Sequence, residues 1–188
     1  MHADQTLVEA VLARRNGAFE HVVQQHQRLV WHVVQRMVSD AEDTRELSQE
    51  VFLRVYQKLH QFRFDCSLAS WIGRIAFSIA TRHLQRRRIP MEECRDEDDA
   101  FSVLDGVADE VDLEAELERD DMLRHVQSAM QCLSPIQRTL LTLYHADELP
   151  IADIVNITGQ PEGTVKNSLF RARQRLRMAL QQLIEVPA

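Results

Sequence analysis

The chain is poor in the residues that punctuate turns, with five glycines and five prolines in 188 positions. That is too few for a sandwich or barrel, whose many short strands each need a turn. No run of about 18 apolar residues occurs, so no membrane span is expected. The first residues, MHADQTLVEA, lack the basic-then-apolar pattern of an export signal. Cys66, Cys94 and Cys132 are odd in number and far apart. They form neither a disulfide framework nor a CxxC metal spacing, and they suit a reducing, cytoplasmic setting. No metal or cofactor is expected.

Excess basic charge is also missing. The net charge is −7, with 29 acids against 22 Lys and Arg. Its distribution changes the reading. Glu92 to Asp121 holds 15 of the acids and only two bases, Arg95 and Arg119. The remainder carries 20 bases and 14 acids, a net of +6. Two mildly basic parts are therefore joined by an acidic segment. Blocks of like charge are solvated and extended, which makes this a linker. A second reading is an acidic mimic of nucleic acid that competes for a basic groove.

What is present is helical periodicity. The fold class that follows is all-α, two small helical domains joined by an acidic linker. The expected bounds are 1–90, 91–112 for the linker, and 113–188. Leu7 to Arg14 is the first helix, capped by Thr6 or Asp4, with Leu7, Val8, Val11 and Leu12 as its stripe. After Asn16-Gly17 a helix runs from Ala18 to Met37 and breaks at Ser39-Asp40. Asp43 to His60 follows, with Leu47, Val51, Phe52, Val55 and Leu59 on one stripe and Gln49 and Glu50 beside it. Leu68 to Arg88 is capped by Ser67 or Asp65 and is basic toward its end. Phe62, Arg63, Phe64, Trp71, Arg74 and Phe77 set aromatic rings beside cations, as unstacked bases require, although most of those rings also fit a core. Beyond the linker, Leu113 to Cys132 reads as a helix. Ser134-Pro135 opens another, with Ser as cap and Pro at the first position.

Leu149 to Arg177 carries the sharpest signal. Ile151, Ile154 and Val155 share a face of a short helix. Gly159 suits the left-handed residue that closes it, and Pro161 suits the first turn of the next. That next helix packs with Val165, Leu169, Leu176 and Leu180, and carries Lys166, Arg171, Arg173, Arg175 and Arg177 against Glu162. Helix, glycine turn and basic helix make a helix-turn-helix pattern. Cations facing a duplex release counterions, and polar residues early in such a helix read base edges.

The order of DTRELSQEVFLRVYQKLHQF, SLASWIGRIAFSIATRHLQRRR and LSPIQRTLLTLYHADELPIADIVNITGQPEGTVKNSLFRARQRLR resembles the sigma factors of bacterial RNA polymerase. The resemblance is to the compact extracytoplasmic-function (group IV) branch of the sigma-70 family. It covers nearly the whole chain except the linker. It implies that Leu47, Gln49, Glu50 and Phe52 dock on core RNA polymerase. It implies that Phe62, Arg63, Trp71, Arg74, Ser78, Arg82 and Arg86 melt and read the −10 promoter element. Thr164, Lys166, Asn167, Ser168, Phe170, Arg171 and Arg173 would read the −35 element. Catalysis would belong to the polymerase, and an anti-sigma factor would be a further partner.

The chain departs from the family pattern at three places. Arg45 stands in the Asp43-Thr44-Arg45-Glu46 run where an acid is usual, and a phosphate on Thr44 or Ser48 would restore negative charge. Ser78 replaces a usual Asn, and Asn167-Ser168 replaces a usual Ser-Arg. Two other readings are a stand-alone helix-turn-helix regulator, which leaves the first 90 residues without a role, and a helical polymerase-interaction protein that binds no DNA, which leaves the basic helix idle.

Overall fold

The computed structural model describes residues 2–88 and 124–185. Among them are α1 (His2–Leu12), α2 (Ala18–Val38), α3 (Ala41–Lys58) with a 3-10 turn at Leu59–Gln61, and α4 (Leu68–Arg88). Residues 124–131 form α5. Then come α6 (Pro135–His145), α7 (Ile151–Thr158) and α8 (Glu162–Glu185). No strand occurs among the described residues, in keeping with the all-α reading. The linker at 91–112, Cys94, and the first half of the helix expected from Leu113 lie outside them.

Helix ends follow local chemistry. Ser39 closes α2 in the left-handed region (φ 67°), its N–H donating to the Gln35 carbonyl. Asp40 then caps α3 by accepting the Asp43 N–H at 2.9 Å. Ser134 and Gln137 form a reciprocal capping box at the start of α6, with Pro135 in its first turn. Such a cap contributes about 0.5–2 kcal/mol. Gly159 closes α7 at φ 70°.

Three expectations are corrected by the structure. The first helix starts at His2, so Asp4 lies inside it and caps a different helix: its carboxylate accepts the Leu68 N–H of α4 at 3.0 Å. Ser67 completes that cap by accepting the Ser70 N–H. Leu12 is 51% exposed rather than part of the apolar stripe, because α1 ends there and the chain turns away. Pro161 precedes α8 instead of lying in its first turn, and its carbonyl accepts the Val165 N–H.

α2 is the central helix, packed on α1, α3, α4 and α6. Val22, Val30, Val33 and Val34 are wholly enclosed. The apolar core does not stop at α4. It runs on without a break into Leu140, Leu143, Ile154, Ile157, Val165 and Leu169 of the second half. Two contacts make this seam, α2 on α6 and α4 on α7. Asp147 just beyond α6 accepts from His32 Nδ1 at 2.8 Å, while Arg28 donates to the Ala146 carbonyl at 3.1 Å. Ser70 of α4 donates to Asp153 of α7 at 2.8 Å. Between them Ile157 fills the notch left by Gly73, where an added Cβ would come within 2.9 Å of Ile157 Cγ1.

Among the described residues buried polar side chains are few, and His26 on α2 is the one of them that titrates near neutrality. Burial lowers its pKa below the ordinary 6.5, against an opposing pull from Asp4, and its Nε2 has no partner. The unfolded chain therefore binds a proton more readily than the folded one. Stability from this site is complete above pH 6.5 and is lost as pH falls through the lower folded value. The urea midpoint is expected to drop between pH 7 and 5, and His26→Gln should flatten that slope.

Candidate nucleic-acid interface

α3 and α4 lie side by side, and an open groove of about 320 Å³ runs between them. Arg54, Lys58, Arg74 and Arg82 line it, with Gln61, Trp71, Ile75, Ser78 and Ile79. Four cations and an indole on one groove fit a strand of phosphates and bases. A smaller cavity beside it is lined by Glu50, Arg54, Arg82, His83 and Arg86, among others. Glu50 lines this smaller cavity, where it pairs with Arg54 at 2.8 Å. Trp71, Arg74, Ser78 and Arg82, expected from the sequence, line the groove together, and Arg86 lines the smaller cavity. Arg54, Lys58 and Gln61 are not among the expected residues, because the sequence marks α3 only as a docking helix. Their i, i+4, i+7 spacing is the signal that points to them.

The loop before α4 holds an aromatic cluster. Phe62 meets Phe64 at 4.7 Å and Trp71 at 5.4 Å between ring centroids. Phe62 is only 7% exposed, so it supports the cluster from the core and offers no face to a base, contrary to its expected part. Phe64 is exposed instead, on a left-handed backbone (φ 62°) that a bulky residue rarely adopts. Arg63 is exposed beside it.

The outer face of α3 is apolar where solvent would favour charge. Leu53 is 59% and Tyr56 52% exposed, and Tyr56 stacks edge-on to Phe19. Gln49 shares this face and Phe52 is half-buried beside it. Leu47 is mostly buried on the stripe it shares with Val51 and Val55, and it also lines the smaller cavity. Thr44 is also fully buried, its hydroxyl donating to the Asp40 carbonyl, so it is shielded from phosphorylation. Asp43 is tied to Arg87 at 2.9 Å, bracing the end of α4 against the start of α3.

The second candidate surface is α8. Thr164, Lys166, Asn167, Phe170 and Arg171 are exposed and Ser168 partly so. Phe170 is 65% exposed, the most of any large apolar side chain described. Lys166 bonds Glu162 one turn earlier, holding that carboxyl below the usual carboxylate range. Arg173 is drawn back onto α6, its guanidinium over the Tyr144 ring and its Nε bonded to His145 at 3.2 Å. The preceding helix, the glycine turn and this basic helix form a helix-turn-helix.

Both surfaces fall within known families. Residues 22–89 match Sigma-70 region 2, and residues 123–176 match Sigma-70, region 4. The chain belongs to the sigma-70 family. It is a sigma factor, a transcription initiation factor. The RNA polymerase sigma-H factor of Pseudomonas aeruginosa is 34% identical over 184 residues, covering 96% of this chain and 95% of that one. The ECF RNA polymerase sigma-E factor of Escherichia coli K12 is 31% identical over 184 residues, covering 96% of both. Two solved structures share the fold. CnrH in complex with the cytosolic domain of CnrY has a TM-score of 0.65 at 17% identity, covering 96% of this chain and 98% of that one. The sigma factor RpoE of Bartonella quintana, in complex with the anti-sigma factor NepR, has a TM-score of 0.66 at 21% identity, covering 88% and 98%. In this sigma factor the α3–α4 groove lies within the region 2 match and the exposed face of α8 within the region 4 match. No helix of the described residues is long and apolar enough to cross a membrane.

Proposed function

We propose that this sigma factor divides its work as 1–90 for polymerase docking and −10 melting, 91–112 as a tether, and 113–188 for −35 recognition. Gln49, Leu53 and Tyr56 on the outer face of α3 dock core RNA polymerase, with Phe52 beneath them. An exposed apolar face rimmed by polar residues is what a protein interface needs. The α3–α4 groove takes the melted −10 strand. Arg74, Arg82 and Arg86 hold phosphates, Trp71 and Phe64 offer stacking faces, and Ser78 and Arg63 lie at its margin. On α8, Thr164, Lys166, Asn167, Ser168 and Arg171 face the −35 bases and phosphates, and Phe170 suits a thymine methyl. Arg173 positions α8 through α6. The chain supplies no catalytic group, and it acts where core polymerase and DNA are, in the cytoplasm. The anti-sigma partner of the Bartonella quintana factor supports control of this chain by a partner of that kind.

One observation carries this reading: two basic surfaces, each with an exposed phenylalanine, on two halves of a single chain. Purified chain and core polymerase should co-elute and give promoter-dependent run-off transcripts. Failure to co-elute overturns the reading. Arg171→Ala should weaken promoter binding by about 1–3 kcal/mol and relax selectivity at one −35 position. Competition binding with singly substituted −35 duplexes checks it.

A further inference from the structure

Several polar groups along the seam are paired across it. Asp147 takes His32 and Arg28, and Ser70 gives to Asp153. Arg36 of α2 and Arg138 of α6 stand on the two helices that pack here, and the charge of Arg36 acts on Arg138. The Nε of each is closed off from water and has no hydrogen-bond partner. Arg138 keeps one bond, to Gln131 Oε1 at 2.8 Å. No carboxylate of the described residues lies within ion-pair distance of either. Burial lowers the Arg138 pKa, and the neighbouring Arg36 lowers it further. Two like charges with shielded donors oppose the closed seam unless something anionic joins them. Both side chains are only partly buried, so their edges remain open to an entering group.

A guanidinium presents a planar fork of donors that matches two oxygens of a carboxylate or phosphate. We propose that Arg36 and Arg138 form an oxyanion site at the seam, holding one phosphate or carboxylate group between the two halves of the chain. Because each half contributes one cation, the occupant binds the closed arrangement better than an open one. It therefore stabilises closure by mass action, and whatever parts the halves expels it. The site is separate from the α3–α4 groove and from the exposed face of α8.

The test uses the full chain at fixed pH and ionic strength, with chloride, inorganic phosphate or acetate as the varied anion. Thermal midpoints and calorimetric titration are read for wild type, Arg36→Met and Arg138→Met. Wild type is expected to gain stability in phosphate or acetate over chloride. Either variant should weaken that affinity at least tenfold. In chloride both variants should match or exceed wild type, since each removes an unpaired shielded cation. A larger gain with phosphate assigns the site to a phosphate group, and an equal or larger gain with acetate to a carboxylate. Equal anion response in all three proteins means an adventitious ion only and overturns the proposal. So does a loss of stability in chloride by both variants, which makes the two side chains plain packing. If one variant fails to fold, the other decides.

Discussion

Ile157→Ala is expected to lower unfolding stability by about 2–5 kcal/mol, the range for emptying a large aliphatic site in a core. Ile157 is 1% exposed, and its side chain lies in the notch beside Gly73. Two costs combine, the lost transfer of three carbons from water and the cavity left between α7 and α4. α4 has no side chain at position 73 to refill that space, so collapse recovers little. Urea denaturation followed by far-ultraviolet circular dichroism measures it. If the halves stood apart in solution, Ile157 would be partly wet and its truncation would cost under about 1 kcal/mol.

Gly73→Leu approaches the same contact from the other side. In an isolated helix, replacing an interior glycine with a good helix former gains about 1 kcal/mol. In the closed chain the new Cβ meets Ile157 Cγ1 at 2.9 Å and Cδ1 at 3.0 Å, so the Ile157 side chain must shift to admit the leucine. Overpacking of this kind costs about 1–3 kcal/mol. The halves are expected to part, with a larger radius of gyration by small-angle X-ray scattering and the helix content unchanged. The double variant Gly73→Leu with Ile157→Ala should be less damaged than the sum of the two, because leucine refills the cavity. Additive losses would mean that the two residues do not meet.

The local parts of this fold are legible in the amino-acid sequence. The break at Ser39-Asp40, the Ser134-Pro135 start and the Gly159 turn all rest on chemistry within four residues. Longer-range features are not legible there. The Asp4 carboxylate caps a helix 64 positions away, and no periodicity announces that. The seam is hidden for the same reason. Gly73 reads as a weak point in a helix, and only Ile157 shows why a side chain is absent there. At the candidate site, the sequence reveals residue type more readily than direction. Leu47 and Phe62 share helical spacing with core residues and point inward. Leu53 and Tyr56 are also apolar, yet they sit off that stripe and face water. Arg173 is basic like its neighbours, but the Tyr144 ring lies one helix away and draws it back.

Cys66 lies half-buried before α4, and its thiol pKa is raised first by burial and next by Asp153 on α7. That carboxylate belongs to the far side of the seam. When the halves separate, its field weakens, a larger fraction of the thiol ionises, and alkylation quickens. The chain thus contains its own chemical clock for opening, readable from the rate at which one native sulfur takes up iodoacetamide.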